Sequence, residues 1–151
     1  MIGSCSGGRH TFLVACQTEG IDAAADLWGG GVIMAPDQLS PMKPVSPIDL
    51  TANLKAPLIG IFGNDDENPS FEAVNQLEER LKLEGKQYEF HRYEGAGHGF
   101  FSYYSPNYRQ KQTADGWRRV WTFFEEHLDL NSRSRRGQRD GGLNGLTGGI
   151  H

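Results

Sequence analysis

Gly3-Ser4-Cys5-Ser6-Gly7 sets a cysteine between small neighbours near the start of the chain, a G-x-C-x-G run. This is the cysteine form of the nucleophile elbow, a sharp strand-to-helix turn that raises a nucleophile above the end of a sheet. The small flanking residues suit a strained backbone and close chain approach. A thiol is a weak nucleophile until it loses its proton. The amino end of the helix that follows an elbow favours an anionic sulfur. Two later residues complete a catalytic set: Asp66, in the turn after the apolar run Leu58-Ile59-Gly60-Ile61-Phe62, and His98, in the loop Glu94-Gly95-Ala96-Gly97-His98-Gly99. The expected roles are nucleophile for Cys5, proton acceptor and donor for His98, and orienting acid for Asp66. The backbone N–H of Ser6 is the expected oxyanion donor. Attack on an ester would give a thioester that water then cleaves.

These residues need elements to hold them. The spacing predicts a helix over residues 8–17, with Phe12, Leu13, Ala15 and Cys16 apolar and Gly20 as a stop. Residues 23–28 read as a strand ended by Gly29-Gly30-Gly31. That glycine run has no following Gly-Lys-Ser/Thr, so it reads as a strand-end turn and not a phosphate loop. Pro36, Pro41, Pro44, Pro47 and Pro57 make residues 34–57 mostly loop, with one helical turn at 48–54. The run at 58–62 has the pattern of a strand buried on both faces. Asn64, Asp65 and Asp66 also suit a plain turn. A helix then runs to Leu83, capped by Asn68 or Ser70 with Pro69 in its first turn, and stopped by Gly85. Residues 87–93 alternate as a strand with Tyr88 and Phe90 on one face. Trp117, Val120, Trp121, Phe124 and Leu128 repeat at helical spacing over 110–128 and predict a core-facing stripe. Strands alternating with helices predict a mostly parallel α/β sheet flanked by helices.

With these segments in order, residues 1–129 resemble the carboxy-terminal part of the dienelactone hydrolase (carboxymethylenebutenolidase) family. The matching runs are Gly3 to Gly8, Ala56 to Ser70, Tyr93 to Phe100, and Asn107 through Trp117 to Phe124. The resemblance implies a partial α/β-hydrolase fold whose opening strands are absent. It implies hydrolysis of lactones or related carboxylic esters by a Cys–His–Asp set, with no metal and no cofactor. In the family pattern the acid stands three residues after the loop glycine, which from Gly63 is Asp66 and not Asp65. The family's second oxyanion donor comes from before the elbow, and only Met1 and Ile2 precede it here. The alternative expectation is therefore a hydrolase remnant without turnover, acting as an interaction module through an exposed sheet edge.

Bulk properties narrow the partners. A net charge of −4 over 151 residues argues against a nucleic-acid-binding domain. No apolar run approaches the length of a membrane span, and no leader pattern opens the chain. Cys5 and Cys16 are too few for a disulfide framework, which suits a reducing, cytoplasmic setting. Cys16 reads as a buried structural residue and a poor resolving partner for a redox cysteine. His10, His91, His127 and His151 show no metal-ligand spacing. Residues 1–130 read as the hydrolase part. Residues 131–151, with Arg133, Arg135, Arg136 and Arg139 among Gly, Ser and Asn, read as a disordered tail.

Overall fold

The computed structural model describes residues 1–128. The segment expected to be a disordered tail lies outside the described residues. The run Leu58–Gly63 is buried at every position, as an apolar stretch without polar alternation must be when helices cover both faces. It is the third strand of a four-stranded, wholly parallel sheet: β1 (Ile2–Ser4), β2 (Ala24–Leu27), β3 (Leu58–Gly63) and β4 (Tyr88–Tyr93), lying side by side in chain order. The register carries Gly3 opposite Asp26, Asp26 opposite Gly60 and Gly60 opposite Phe90. Helices α1 (Ser6–Gln17), α2 (Phe71–Leu83) and α3 (Gln110–His127) cover the sheet.

Two apolar clusters result. One joins Phe12 and Cys16 of α1 to Ala24, Leu58 and the α2 residues Leu77 and Leu81. The other joins Ala25, Leu27, Ile59 and Ile61 to Phe100 and to Val120, Phe123 and Phe124 of α3. Phe12 is fully buried, so truncating it to alanine is expected to cost about 3–5 kcal/mol. All four strands run the same way, so the loops leaving β1, β3 and β4 emerge at one end of the sheet. Those loops carry Cys5, Asp66 and His98.

The structure differs from the sequence expectations in several places. The first helix begins at Ser6 rather than residue 8, because Cys5 is its N-cap. Two 3₁₀ turns, Pro36–Gln38 and Pro47–Asn53, punctuate the proline-rich segment. The cap of α2 is Ser70, whose Oγ accepts from the Ala73 N–H, and not Asn68. Pro69 precedes that cap behind a cis Asn68–Pro69 peptide, so it is outside the helix. The aromatic stripe of α3 is not wholly core: Trp117 is 37% and Trp121 61% exposed, whereas Phe123 is buried. The buried face runs through Thr113, Gly116, Val120, Phe123 and Phe124, turned by about one position from the stripe. Both patterns share Val120 and Phe124, so helical periodicity alone does not separate them. Gly116 makes the turn feasible, since a Cβ there would lie 2.4 Å from the Phe101 ring.

Candidate active site

Cys5 has φ 56° and ψ −122°, a positive φ that costs a non-glycine residue roughly 1–3 kcal/mol unless its surroundings fix it. They do so here. The Cys5 N–H donates to the Leu27 carbonyl at 2.9 Å, and the Arg9 N–H donates to the Cys5 carbonyl at 3.2 Å. A Cβ on Gly3 would lie 2.2 Å from the Gly7 carbonyl oxygen, so the strand before the turn must pass as glycine. On the helix side the demanding position is Gly8, where a Cβ would lie 2.3 Å from Asp26 Oδ1; Gly7 meets nothing within 4 Å. Of the two motif glycines, packing among the described residues requires only the first. The second close approach is made one residue further on.

The turn after β3 is sewn to the loop after β4. The Asn64 N–H donates to the Tyr93 carbonyl and the Asp65 N–H to the Ala96 carbonyl. Gly63 permits this, because a Cβ there would lie 2.1 Å from the Ala96 oxygen. The consequence is that Asp66 and His98 face each other: Asp66 Oδ2 lies 2.8 Å from His98 Nδ1, and His98 Nε2 lies 3.1 Å from Cys5 Sγ. A carboxylate can only accept, which assigns the ring proton to Nδ1 and turns the Nε2 lone pair toward sulfur. The Asp66 side chain is almost wholly buried while that of His98 is 40% exposed, so the carboxylate is shielded and the imidazole reaches the opening. Asp65 is exposed and points no oxygen at the imidazole. Asn107 Nδ2 donates to the His98 carbonyl at 3.0 Å and steadies the histidine loop. Ser6 opens α1, and first-turn N–H groups have no intrahelical partner.

Cys5, Ser6 and His98 line an open cavity of about 1150 Å³. Its wall contains residues that sequence reasoning missed or read otherwise. Arg9 Nε donates to the Gly31 carbonyl at 3.1 Å, the Gly31 N–H donates to Asn68 Oδ1 at 3.1 Å, and the Asn68 N–H donates to Asp66 Oδ1 at 2.8 Å. With the bonds through His98, these contacts close a ring from α1 back to its N-cap, Cys5. Asn68, read as an alternative helix cap, is instead the tie between the acid loop and the glycine run. Gly30 is compressed against it, since a Cβ there would lie 2.5 Å from Asn68 Oδ1. The sequence signal for Arg9 is its spacing: four residues after Cys5, it shares a helix face with that cysteine. Nothing local marks Asn68.

Beneath the elbow lies Asp26, fully buried, with Oδ1 accepting from the Gly29 N–H at 2.8 Å and Oδ2 without a partner. Burial pushes its carboxyl up to about 7, only partly offset by that N–H. Cys16, at the far end of α1, is buried among apolar side chains. That burial pushes its thiol up to about 12, with Lys86 slightly opposing it.

Similarity to known proteins agrees with this architecture. The chain is 33% identical to the "Putative carboxymethylenebutenolidase" of Methylorubrum extorquens over 125 residues, covering 83% of this chain and 42% of that protein. It is 32% identical to the protein of the same name from Escherichia coli K12, covering 83% and 45% respectively. It therefore spans less than half the length of these relatives. The crystal structure of a "Putative Dienelactone Hydrolase" from Klebsiella pneumoniae superposes with a TM-score of 0.76 at 28% identity, over 82% of this chain and 50% of that one. The sequence profile of the dienelactone hydrolase family matches residues 1–128, the whole described chain with its elbow, acid turn and histidine loop, and the protein belongs to that family.

Proposed function

We propose that this chain hydrolyses lactones or related carboxylic esters, with Cys5 as nucleophile, His98 as general base and acid, and Asp66 as orienting acid. The observation that carries the reading is the unbroken line from Cys5 Sγ through His98 to Asp66 Oδ2 at the mouth of a cavity. His98 Nε2 takes the thiol proton as sulfur attacks the carbonyl carbon, forming the C–S bond and a tetrahedral oxyanion. The N–H of Ser6 supports that oxygen. Collapse breaks the C–O bond, and the imidazolium returns its proton to the leaving alkoxide, which in a lactone stays tethered to the acyl group. Water then gives a proton to His98 and attacks the thioester carbon. The C–S bond breaks and the thiol is restored. Asp66 holds the imidazole in the tautomer each step needs and stabilises its cation.

No metal or cofactor enters this scheme. The exposed outer edge of β1, the first strand in the sheet order, is where two copies would pair. A reducing, cytoplasmic setting accords with two unbonded cysteines, and no described helix is long and apolar enough to cross a membrane. The test is hydrolysis of an activated ester by the wild-type chain and by Cys5→Ala. Turnover that falls to the uncatalysed rate in the variant is expected; equal turnover in both would remove Cys5 from the mechanism.

A further inference from the structure

Asp26 is fully buried beneath the amino end of α1, and no step of the proposed hydrolysis uses it. Glycines surround it. Gly3 and Gly60 stand opposite it on the neighbouring strands. A Cβ on Gly8 would lie 2.3 Å from its Oδ1, and a Cβ on Gly29 2.4 Å from the same oxygen. The carboxyl is therefore wedged between the first turn of α1 and the loop after β2. Its Oδ1 accepts from the Gly29 N–H, and its Oδ2, buried as well, has no partner among the described residues.

Two short paths join this group to Cys5. Gly8, against which Oδ1 rests, is about 4.5 Å along the helix axis from Cys5. The Cys5 N–H donates at 2.9 Å to the carbonyl of Leu27, the residue after Asp26. A carboxylate at Asp26 and a thiolate at Cys5 therefore draw on the same positive helix end. Each also repels the other, and burial of one partner keeps solvent ions from screening the pair. Burial pushes the Asp26 carboxyl up to about 7 against the opposing Gly29 N–H, so its charge changes near neutrality. The elements packed around it bring little else that is charged. From β1 and β3 come the two glycines, and α2 turns Val74, Leu77 and Leu81 inward. On α1, Arg9 is engaged by the Gly31 carbonyl and the Met34 sulfur. His98 and Asp66 face Cys5 from the cavity side.

We propose that Asp26 is a proton-linked brake on Cys5. With its proton bound, Asp26 leaves the amino end of α1 free to favour the thiolate. Once the proton is lost, two anions compete for that end, so the reactivity of Cys5 rises less steeply through neutral pH than it would alone. The brake acts on the thiol itself and does not require ester turnover.

The first test is the rate of Cys5 labelling by iodoacetamide in the full chain and in Asp26→Asn, from about pH 5.5 to about pH 8.5. The quantity read is the ratio of variant to wild-type rate, in which the titrations of His98 and Asp66 cancel. It is expected near one at the acid end and about 3- to 20-fold at the alkaline end. A ratio that stays constant with pH, whatever its value, would make Asp26 a structural residue only and overturn the proposal. The second test needs no variant at Asp26. Cys5 is capped with iodoacetate, which leaves a fixed negative charge, or with iodoacetamide, which leaves a neutral group. Coupling is reciprocal, so the Asp26 carboxyl, followed by carbon-13 NMR, should titrate about 0.5 to 1.3 pH units higher beside the anionic cap. Equal midpoints would overturn the proposal. A pH-dependent ratio in a chain that turns over no activated ester would uphold the brake and defeat the hydrolase reading. Ester turnover with a flat ratio would do the reverse.

Discussion

Cys5 and Cys16 belong to one helix and could hardly be set more differently. Cys5 caps the amino end of α1 with a strained backbone, an exposed side chain and an imidazole 3.1 Å from its sulfur. Cys16 sits in the last turn, buried against Phe12, Leu58 and Leu81. Residue type and helix are shared, so what separates the two is which neighbours the rest of the chain delivers. At one end the loops after β3 and β4 bring polar groups. At the other, β3 and α2 bring leucine side chains. The helix is a rod with a chemical end and a packing end.

The sharpest test of that contrast is alkylation of the native protein at neutral pH. Iodoacetamide is expected to label Cys5 at least about 10³-fold faster than Cys16, since the thiolate is the reactive form and burial withholds it at Cys16. Peptide mapping against time reads the ratio, and equal slow labelling of both would erase the distinction.

Next in size is the support of the chemical end. In Asp66→Asn the one amide oxygen stays with the Asn68 N–H and the amide nitrogen, a donor, faces His98 Nδ1, which favours the wrong imidazole tautomer, and ester turnover should drop about 10²- to 10⁴-fold. Asn68→Ala keeps the backbone bond to Asp66 Oδ1 and loses only the tie to Gly31. It should cost about 3- to 30-fold, chiefly in kcat. A variant at Asn68 as damaged as Asp66→Asn would mean that the ring acts as one unit, whereas no change would mean that the tie is idle.

A third test concerns what lies under the elbow. Asp26 holds its proton up to about pH 7 in the folded chain but releases it near 3.8 when unfolded. Between those values the folded state binds the extra proton. Its contribution to stability is therefore greatest below about pH 4, falls as pH rises, and is lost, on the order of a few kcal/mol, above about pH 7. Asp26→Asn has no proton to lose. Denaturant midpoints measured from pH 4 to 8 should decline in the wild type and flatten in the variant; parallel curves would show that the carboxyl does not titrate there.

The smallest effect belongs to the packing end. Cys16→Ser buries a hydroxyl among apolar neighbours and should cost about 1–3 kcal/mol of stability with turnover within about twofold. A large loss of activity with stability intact would break the division between the two ends.

The elements were legible where the physics is local. The apolar run of β3 and the glycine stop after α2 each declare themselves in a few residues. Cys5, Asp66 and His98 were legible because each sits in a loop whose glycines mark a sharp turn. The α3 stripe misled because Trp117 and Trp121 share its period but flank the buried face, where Trp117 packs at a tilt against Phe101 and stacks on Trp121. The Arg9–Gly31–Asn68 tie was not legible, because its members are separated by tens of residues and none is unusual in its own neighbourhood.

By itself, then, the sequence determined the strand and helix types, the order of Cys5, Asp66 and His98, and the membership of those residues in strand-end loops. Those properties follow from periodicity and turn chemistry over short windows. Tertiary structure alone decided that the Asn68 N–H occupies the second oxygen of Asp66 and ties the acid turn to the glycine run. It also decided that Gly8 and not Gly7 bears the close approach, and that among the described residues Arg9 has no carboxylate within ion-pairing distance. Each depends on distances between segments far apart in the chain, and those distances exist only after the parallel sheet has set its register.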